Sequence, residues 1–283
     1  MTATSMAQAT SPPVMRPLSP YVGVEVAGLD LHAPLDQPTC DLLREAMKRH
    51  HLIVLNAPDL SEAEQLAFTA IFGTTQIPKF GYYPSKDRSD DEIFYISNRR
   101  GDGAVGDGEL LFHHDAFYLA APPRVGLLYA LEPPLTRGGT RFRNVRELYR
   151  RLPAELVAKA SGVVCHHLHN FAGGDYNARQ DIALRNARTC EHHYPMVWTD
   201  PETGETMIWA VDYTTVGFEG IPLEEGHALI RTVLDFGDAN PDLEYVHRWK
   251  KGDLLAWDNR YLSHAREDFP KSEPRTLRRS SAR

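Results

Sequence analysis

The sequence predicts a mainly β protein, a sandwich or a barrel with helices packed outside. From residue 110 onward, short apolar runs recur between turn residues, and only two helical segments, near 144–160 and 223–236, interrupt them. The chain shows no internal repeat and no clean linker. We therefore expect one domain over residues 19–283, preceded by a disordered N-terminal arm over residues 1–18.

The N-terminal part begins with strand and helix signals. Residues 1–18 lack the basic start and the apolar stretch of a signal peptide. Residues 19–36 alternate apolar and polar side chains around glycines, which predicts a strand or hairpin. Residues 42–50 repeat apolar side chains at helical spacing, and Thr39 or Asp41 is the predicted helix cap.

A buried strand and a second helix follow. The apolar run at 52–57 predicts a short buried strand. Ser61 with Glu64 three residues later forms a capping box, and Gly73 is placed to end that helix. Residues 74–109 are rich in turn residues, which is typical of a binding loop.

Charge and cysteine content exclude several classes of protein. The net charge is −7, which argues against sequence-independent nucleic-acid binding. No apolar run is long enough to span a bilayer, so we expect no membrane partner. The three cysteines are too few for a disulfide framework, which favours a cytoplasmic location.

A histidine and a carboxylate lie two residues apart in an apolar segment. If LLFHHDAFYL is a strand, His113 and Asp115 project from one face while His114 points away. His264, which comes after another strand-like run, is the candidate for a third metal ligand. Two histidines and one carboxylate on one face of an octahedron are typical of non-haem Fe(II) oxygenases. For the short His-x-Asp motif alone, the simpler interpretation is a histidine that is hydrogen-bonded within the fold.

Two arginines near the C-terminus reinforce the prediction of an active site. Arg275 and Arg279 lie at positions i and i+4 of a predicted last strand, so both face the same side. A jelly roll would place that side inside the barrel, where each guanidinium needs an anion. The alternative is a basic, solvated tail.

At these residues the chain resembles the taurine/2,4-dichlorophenoxyacetate dioxygenase family, whose members are Fe(II)- and 2-oxoglutarate-dependent oxygenases with a double-stranded β-helix (a cupin-like jelly roll). The family pattern of His-x-Asp, a distant His and an Arg eleven residues later falls on His113, Asp115, His264 and Arg275. The resemblance extends through most of the chain, including PYVGVEVAGLDLHAPL, AIFG and RWKKGDLLAWDNR.

The resemblance also implies roles for residues outside the metal triad. Thr140 and Arg275 are expected to bind the far carboxylate of 2-oxoglutarate, and Arg279 the acidic group of the substrate. Four further residues are candidate substrate contacts: Glu109, Tyr82, Tyr83 and Trp209.

The implied function is hydroxylation of a C–H bond in a small acidic metabolite, with Fe(II) bound by the facial triad and 2-oxoglutarate and O₂ as cosubstrates. Succinate and CO₂ are the implied coproducts. Desaturation, cyclisation and dealkylation share the first steps and stay open. Two further alternatives are a non-catalytic relative that binds a small acid and a hydrolase with zinc on the same ligands. The resemblance also allows a homo-oligomer.

A second histidine cluster, His166, His167 and His169, invites comparison with a metal site. His167 and His169 would share a strand face, but neither a carboxylate nor a cysteine occupies an obvious partner position. We therefore expect these histidines to be packed or hydrogen-bonded rather than metal ligands.

Overall fold

The computed structural model describes residues 13–76, 92–171 and 177–283 and shows a mainly β protein with flanking helices, as predicted. The helices in this part are α1 Gln37–His50, α2 Glu62–Thr69, α3 Val145–Arg151, α4 Ala154–Ala160 and α5 Leu223–Asp238. The strands are β1 Val14–Pro17, β2 Val24–Ala27, β3 Leu52–Asn56, β4 Phe94–Ser97, β5 Gly103–Ala104, β6 Leu110–His113, β7 Val125–Glu132, β8 Thr140–Asn144, β9 Val164–His169, β10 Cys190–Pro195, β11 Val197–Thr199, β12 Thr206–Ile208, β13 Thr215–Glu219, β14 Glu244–His247, β15 Asp253–Asp258, β16 Leu262–Arg266 and β17 Thr276–Ala282.

Two sheets pack against each other at the centre of the molecule. The larger has eight strands in the order β1-β2-β3-β15-β7-β17-β4-β5, and the smaller has four in the order β14-β8-β16-β6. Trp257 and Leu277 from the larger sheet meet Phe142 and Leu262 from the smaller one in a shared apolar core. Two sheets that pack face to face through apolar inner faces are the arrangement expected of a jelly roll.

Helices α1 and α2 cover the outer face of the larger sheet. Helix α1 is capped by Asp36, which accepts a hydrogen bond from the Thr39 backbone N–H, so the predicted cap at Thr39 or Asp41 is wrong. The error arose because the helix begins at Gln37 and Pro38, before the apolar repeat from which it was predicted. The capping box of Ser61 and Glu64 at α2 is confirmed.

The N-terminal segment carries a strand where an arm was predicted. Val14–Pro17 form β1, which pairs antiparallel with β2 and extends the edge of the larger sheet. For these four residues the prediction of disorder is corrected, because backbone pairing supplies order that their mixed composition does not indicate. Residues 1–12 lie outside the described residues.

A smaller β unit lies beside the two sheets. Strands β10, β9 and β13 form a three-stranded sheet, and helix α5 packs on β13. The predicted helix near 144–160 is in fact two helices, because Pro153 separates α3 from α4. Among the described residues, no helix combines the length and the apolar character needed to cross a membrane.

Candidate metal centre and cosubstrate pocket

Three metal-ligating side chains meet between the two sheets. His264 in β16 is directly opposite His113 in β6, and Asp115 lies two residues beyond the latter. The Nε2 atom of His113 is 3.9 Å from Asp115 Oδ1, and the Nε2 atom of His264 is 3.7 Å from Asp115 Oδ2. Within the described ranges, this is the one group of three or more such residues close enough together to hold a metal ion.

Asp115 reaches the site in a different way from the one the sequence suggested. Strand β6 ends at His113, so Asp115 is not part of a ladder and strand alternation does not place its side chain. The chain turns sharply at Ala116, whose φ is +56°. The carboxylate therefore enters the site from a turn, and contacts outside β6 must fix its position.

The ligand atoms are in the protonation states that a divalent cation requires. His113 Nδ1 donates to the Leu111 carbonyl at 2.7 Å, which leaves the lone pair of Nε2 for a metal. Burial lowers the pKa of His113 and of His264, so both imidazoles are neutral at pH 7. Burial acts to raise the pKa of Asp115, but the positive charge of Arg279 and its hydrogen bonds outweigh that effect and hold the pKa well below its usual range.

A buried arginine with unpaired donor atoms lines the same cavity. Arg275 is 2% exposed, and its Nε and NH1 atoms have no hydrogen-bond partner in the described part of the chain. Burial followed by repulsion from Arg266 lowers the pKa of Arg275, although a guanidinium stays charged at neutral pH. Since burying an unpaired charge is costly, this position is suited to receive an anionic group.

Thr140 lines the cavity together with Arg275. Its Oγ1 accepts a hydrogen bond from Trp249 Nε1 at 3.0 Å, so the hydroxyl proton remains available for another acceptor. A guanidinium and a hydroxyl donor suit one carboxylate, and the triad suits a divalent ion. The residues present thus fit a bound metal with a dicarboxylate such as 2-oxoglutarate.

Arg279 lies in the cavity and engages the metal-ligating carboxylate. Its NH1 donates to Asp115 Oδ1 at 2.9 Å, and its NH2 donates to Asp115 Oδ2. Both arginines of the predicted last strand face the cavity, whereas the intervening Arg278 points away and bonds Gln65 Oε1. The predicted same-face arrangement of the two arginines is confirmed, and the alternative of a solvated basic tail is wrong.

Two predicted substrate contacts lie elsewhere. Glu109 is exposed and is not among the residues that line the cavity. Trp209 is buried against Phe117 and Trp198, and its Nε1 donates to the Arg260 carbonyl. Strand register and packing in the folded chain keep both side chains out of this cavity, and as substrate contacts the two residues stay predictions. The remaining two, Tyr82 and Tyr83, lie outside the described residues.

His169, which the sequence analysis expected to be packed or hydrogen-bonded, lines the cavity. Its ring is 4.9 Å from that of Tyr118, and the Phe171 backbone N–H donates to its Nδ1 at 3.0 Å. Because a backbone N–H can only donate, the neutral ring carries its proton on Nε2. Burial lowers the pKa of His169 to about 4, so at pH 7 it is an uncharged donor. The signal available in the sequence was its place at the end of a strand.

A family model described as "Taurine catabolism dioxygenase TauD, TfdA family" matches residues 15–281. The chain belongs to the TauD/TfdA family. Its relatives in that family include an alpha-ketoglutarate-dependent 2,4-dichlorophenoxyacetate dioxygenase from Cupriavidus pinatubonensis, 28% identical over 95% of this chain and 96% of the relative. An alkylsulfatase from Acinetobacter baylyi is 26% identical over 94% of this chain and 83% of the relative.

The fold of this TauD/TfdA member is also found in solved structures. A taurine dioxygenase from Burkholderia xenovorans superposes with a TM-score of 0.77 at 23% identity, covering 96% of this chain and 91% of the other. The predicted double-stranded β-helix, or jelly roll, is thereby confirmed. The predicted enzyme class, a non-haem Fe(II)/2-oxoglutarate-dependent dioxygenase, is confirmed by the family match and the named relatives.

Proposed function

We propose that the protein hydroxylates a C–H bond of a small organic acid, consuming 2-oxoglutarate and O₂ and releasing succinate and CO₂. The observation that carries the proposal is the buried guanidinium of Arg275, whose Nε and NH1 have no hydrogen-bond partner among the described residues, in the same cavity as His113, Asp115 and His264. A metal triad alone would suit many reactions. A triad beside a buried cation with donors to spare suits a chelating cosubstrate with a second carboxylate.

In the proposed complex, the two imidazoles and the Asp115 carboxylate hold Fe(II), while Arg275 and Thr140 hold the far carboxylate of 2-oxoglutarate. Iron and 2-oxoglutarate together supply the oxidising chemistry when they are bound. The chain's own contribution is orientation and electrostatics. The dianionic cosubstrate is balanced by Arg275 and by the single positive charge that remains on Fe(II) after one carboxylate ligates it.

We assign recognition of the substrate's acidic group to Arg279. The names of the two relatives indicate an aryloxyacetate and an alkyl sulfate, and both of these carry an anionic group. Arg279 supports the same chemical class here because it lies in the cavity beside the metal-binding carboxylate. His169 supports a second contact, since it lines the same cavity and its neutral ring carries the proton on Nε2.

Desaturation, cyclisation and dealkylation begin with the same removal of a hydrogen atom, so the residues of the site do not distinguish them from hydroxylation. Product analysis by mass spectrometry separates them, because hydroxylation adds one oxygen atom while desaturation and ring formation remove two hydrogens. We favour hydroxylation as the simplest outcome for a substrate held at one acidic end.

The test begins with anaerobic addition of Fe(II) and 2-oxoglutarate, which should produce a visible charge-transfer band. O₂ consumption and succinate release are then measured with a panel of small carboxylates, sulfonates, and sulfate and phosphate esters. Arg275→Ala should raise the 2-oxoglutarate requirement, and Arg279→Ala the requirement for the organic acid. Each loss is expected to correspond to about 2–5 kcal/mol of binding free energy. Wild-type kinetics in both variants, or no band with the wild type, would refute the proposal.

A further inference from the structure

Asn259 is a fully buried polar residue in the turn between β15 and β16, outside the metal triad and the predicted cosubstrate contacts. The turn that carries it is anchored by an ion-pair network. Arg260 bonds the carboxylates of Asp258 and Asp200, and the Asp258 backbone N–H donates to the His51 carbonyl at 2.8 Å. The side chain of Asn259 is therefore presented from a rigid support.

The Asn259 amide bonds both backbone groups of Asp115. Its Oδ1 accepts from the Asp115 N–H at 2.8 Å, and its Nδ2 donates to the Asp115 carbonyl at 3.0 Å. Because β6 ends at His113, Asp115 has no neighbouring strand to satisfy these two groups. The amide supplies the pair of hydrogen bonds that a sheet partner would otherwise make.

The same residue also holds the segments on either side of Asp115. The Asn259 carbonyl accepts from His114 Nδ1 at 2.7 Å. Its Nδ2 donates to the Pro123 carbonyl at 3.0 Å, and its backbone N–H donates to the Arg124 carbonyl at 2.8 Å. Five hydrogen bonds thus connect one residue to both ends of the turn that presents the metal-binding carboxylate.

We infer that Asn259 is a positioning residue for the metal centre: its amide fixes the backbone of Asp115 so that the carboxylate meets His113 and His264. The inference rests on the proposed function, since it assumes that these three residues bind the metal. Residues that orient a metal ligand change metal affinity when they are removed, even though they never touch the ion. A residue that only stabilised the fold would change stability without a specific change in metal affinity.

Asn144 provides a matched control. It is also a fully buried asparagine with three side-chain hydrogen bonds, donating to the Tyr21 carbonyl and accepting from the Arg146 and Glu147 backbone N–H groups at the start of α3. None of its partners belongs to the metal triad. Asn144→Ala and Asn259→Ala therefore remove the same side-chain chemistry at two positions, of which one supports Asp115.

The experiment measures Mn(II) affinity of the full-length protein by the electron paramagnetic resonance signal of free Mn(II), together with urea unfolding of the metal-free protein. We expect both variants to lose stability, and Asn259→Ala alone to lose about 10- to 100-fold in Mn(II) affinity. Asn259→Ser, whose hydroxyl can replace one of the bonds to Asp115, should give an intermediate loss, and it decides the question if the alanine variant does not fold.

Equal Mn(II) affinity in the Asn259 and Asn144 variants would overturn the inference while leaving the proposed function intact. Failure of the wild type to bind Mn(II) would instead overturn the metal site itself, and the inference with it. A selective loss in the Asn259 variants that follows the order alanine, then serine, then wild type supports the positioning role.

Discussion

Replacing Arg275 with methionine should make the metal-free protein more stable and its 2-oxoglutarate binding much weaker. The guanidinium is buried with Nε and NH1 unpaired, so the native state bears a desolvation cost that no hydrogen bond to those atoms offsets. Methionine keeps the unbranched stem and removes the charge. Replacing buried charges with apolar residues of similar volume has raised stability by about 1–4 kcal/mol elsewhere, and we expect a gain in that range.

Arg278 is the control, because it is a neighbouring buried arginine of β17 with satisfied donors. Its guanidinium donates to Gln65 Oε1 at 2.7 Å and to the Leu60 and Ser61 carbonyls at 2.6 and 3.0 Å. Arg278→Met should therefore destabilise the protein, by about 1–3 kcal/mol for each buried acceptor left without a donor. The two substitutions are chemically identical, but we expect Arg275→Met to raise the free energy of unfolding and Arg278→Met to lower it.

The assay is urea unfolding of the metal-free variants, followed by anaerobic calorimetry with Fe(II) and 2-oxoglutarate. Loss of a buried charged contact of about 2–5 kcal/mol corresponds to a loss of affinity from about 30-fold to several thousand-fold for Arg275→Met. Arg278→Met should bind 2-oxoglutarate as the wild type does. If Arg275→Met destabilises the protein as much as Arg278→Met, the reasoning from the unpaired guanidinium is wrong.

Two further predictions concern histidines outside the triad. Burial lowers the pKa of His167 to about 3, whereas in the unfolded chain this histidine has a pKa of about 6.5. The stability that the neutral, buried His167 contributes is therefore complete above pH 6.5 and is lost as the pH falls toward 3. Between pH 6.5 and pH 5 we expect the free energy of unfolding of the wild type to fall by about 2 kcal/mol from this residue. Urea unfolding at these two pH values should show a smaller fall for His167→Gln than for the wild type. His169→Phe keeps an aromatic ring but removes the Nε2–H donor, so it should raise KM for the organic acid and leave KM for 2-oxoglutarate unchanged. An equal rise in both constants, measured by succinate release, would point to general damage of the cavity.

The sequence predicted those features of the site that depend on spacing along the chain. Side-chain alternation predicted Arg275 and Arg279 on one face, and both line the cavity, Arg279 from β17 and Arg275 from the residue just before that strand. The family spacing identified three candidate ligand residues, of which the register of β6 and β16 brings His113 and His264 together while Asp115 follows in the turn after β6. These predictions succeeded because periodicity within one strand is a local property.

Features of the site that depend on packing could not be predicted from the sequence. The sequence analysis placed Asp115 on the same strand face as His113. Strand β6 ends at His113, however, and hydrogen bonds from Asn259 hold the backbone of Asp115. Trp209 and Glu109 were predicted to contact the substrate, and packing keeps both side chains out of the cavity that holds the triad. Hydrogen bonds between residues far apart in the chain, such as that from Asn259 to Asp115, leave no periodic signal.

Three arginines on one C-terminal segment show how partners distinguish structural cations from functional ones. Arg278 points away from the cavity, and its guanidinium donates hydrogen bonds to Gln65 and to two backbone carbonyls, which belong to the fold itself. Arg279 is paired with Asp115, a carboxylate that a metal would also use, so its environment depends on what the site holds. Arg275 has two nitrogen atoms without a hydrogen-bond partner in the described part of the chain, so an anionic ligand would complete its environment. Because the cost of an unpaired buried cation is borne in every metal-free molecule, the position is better explained by anion binding than by stability.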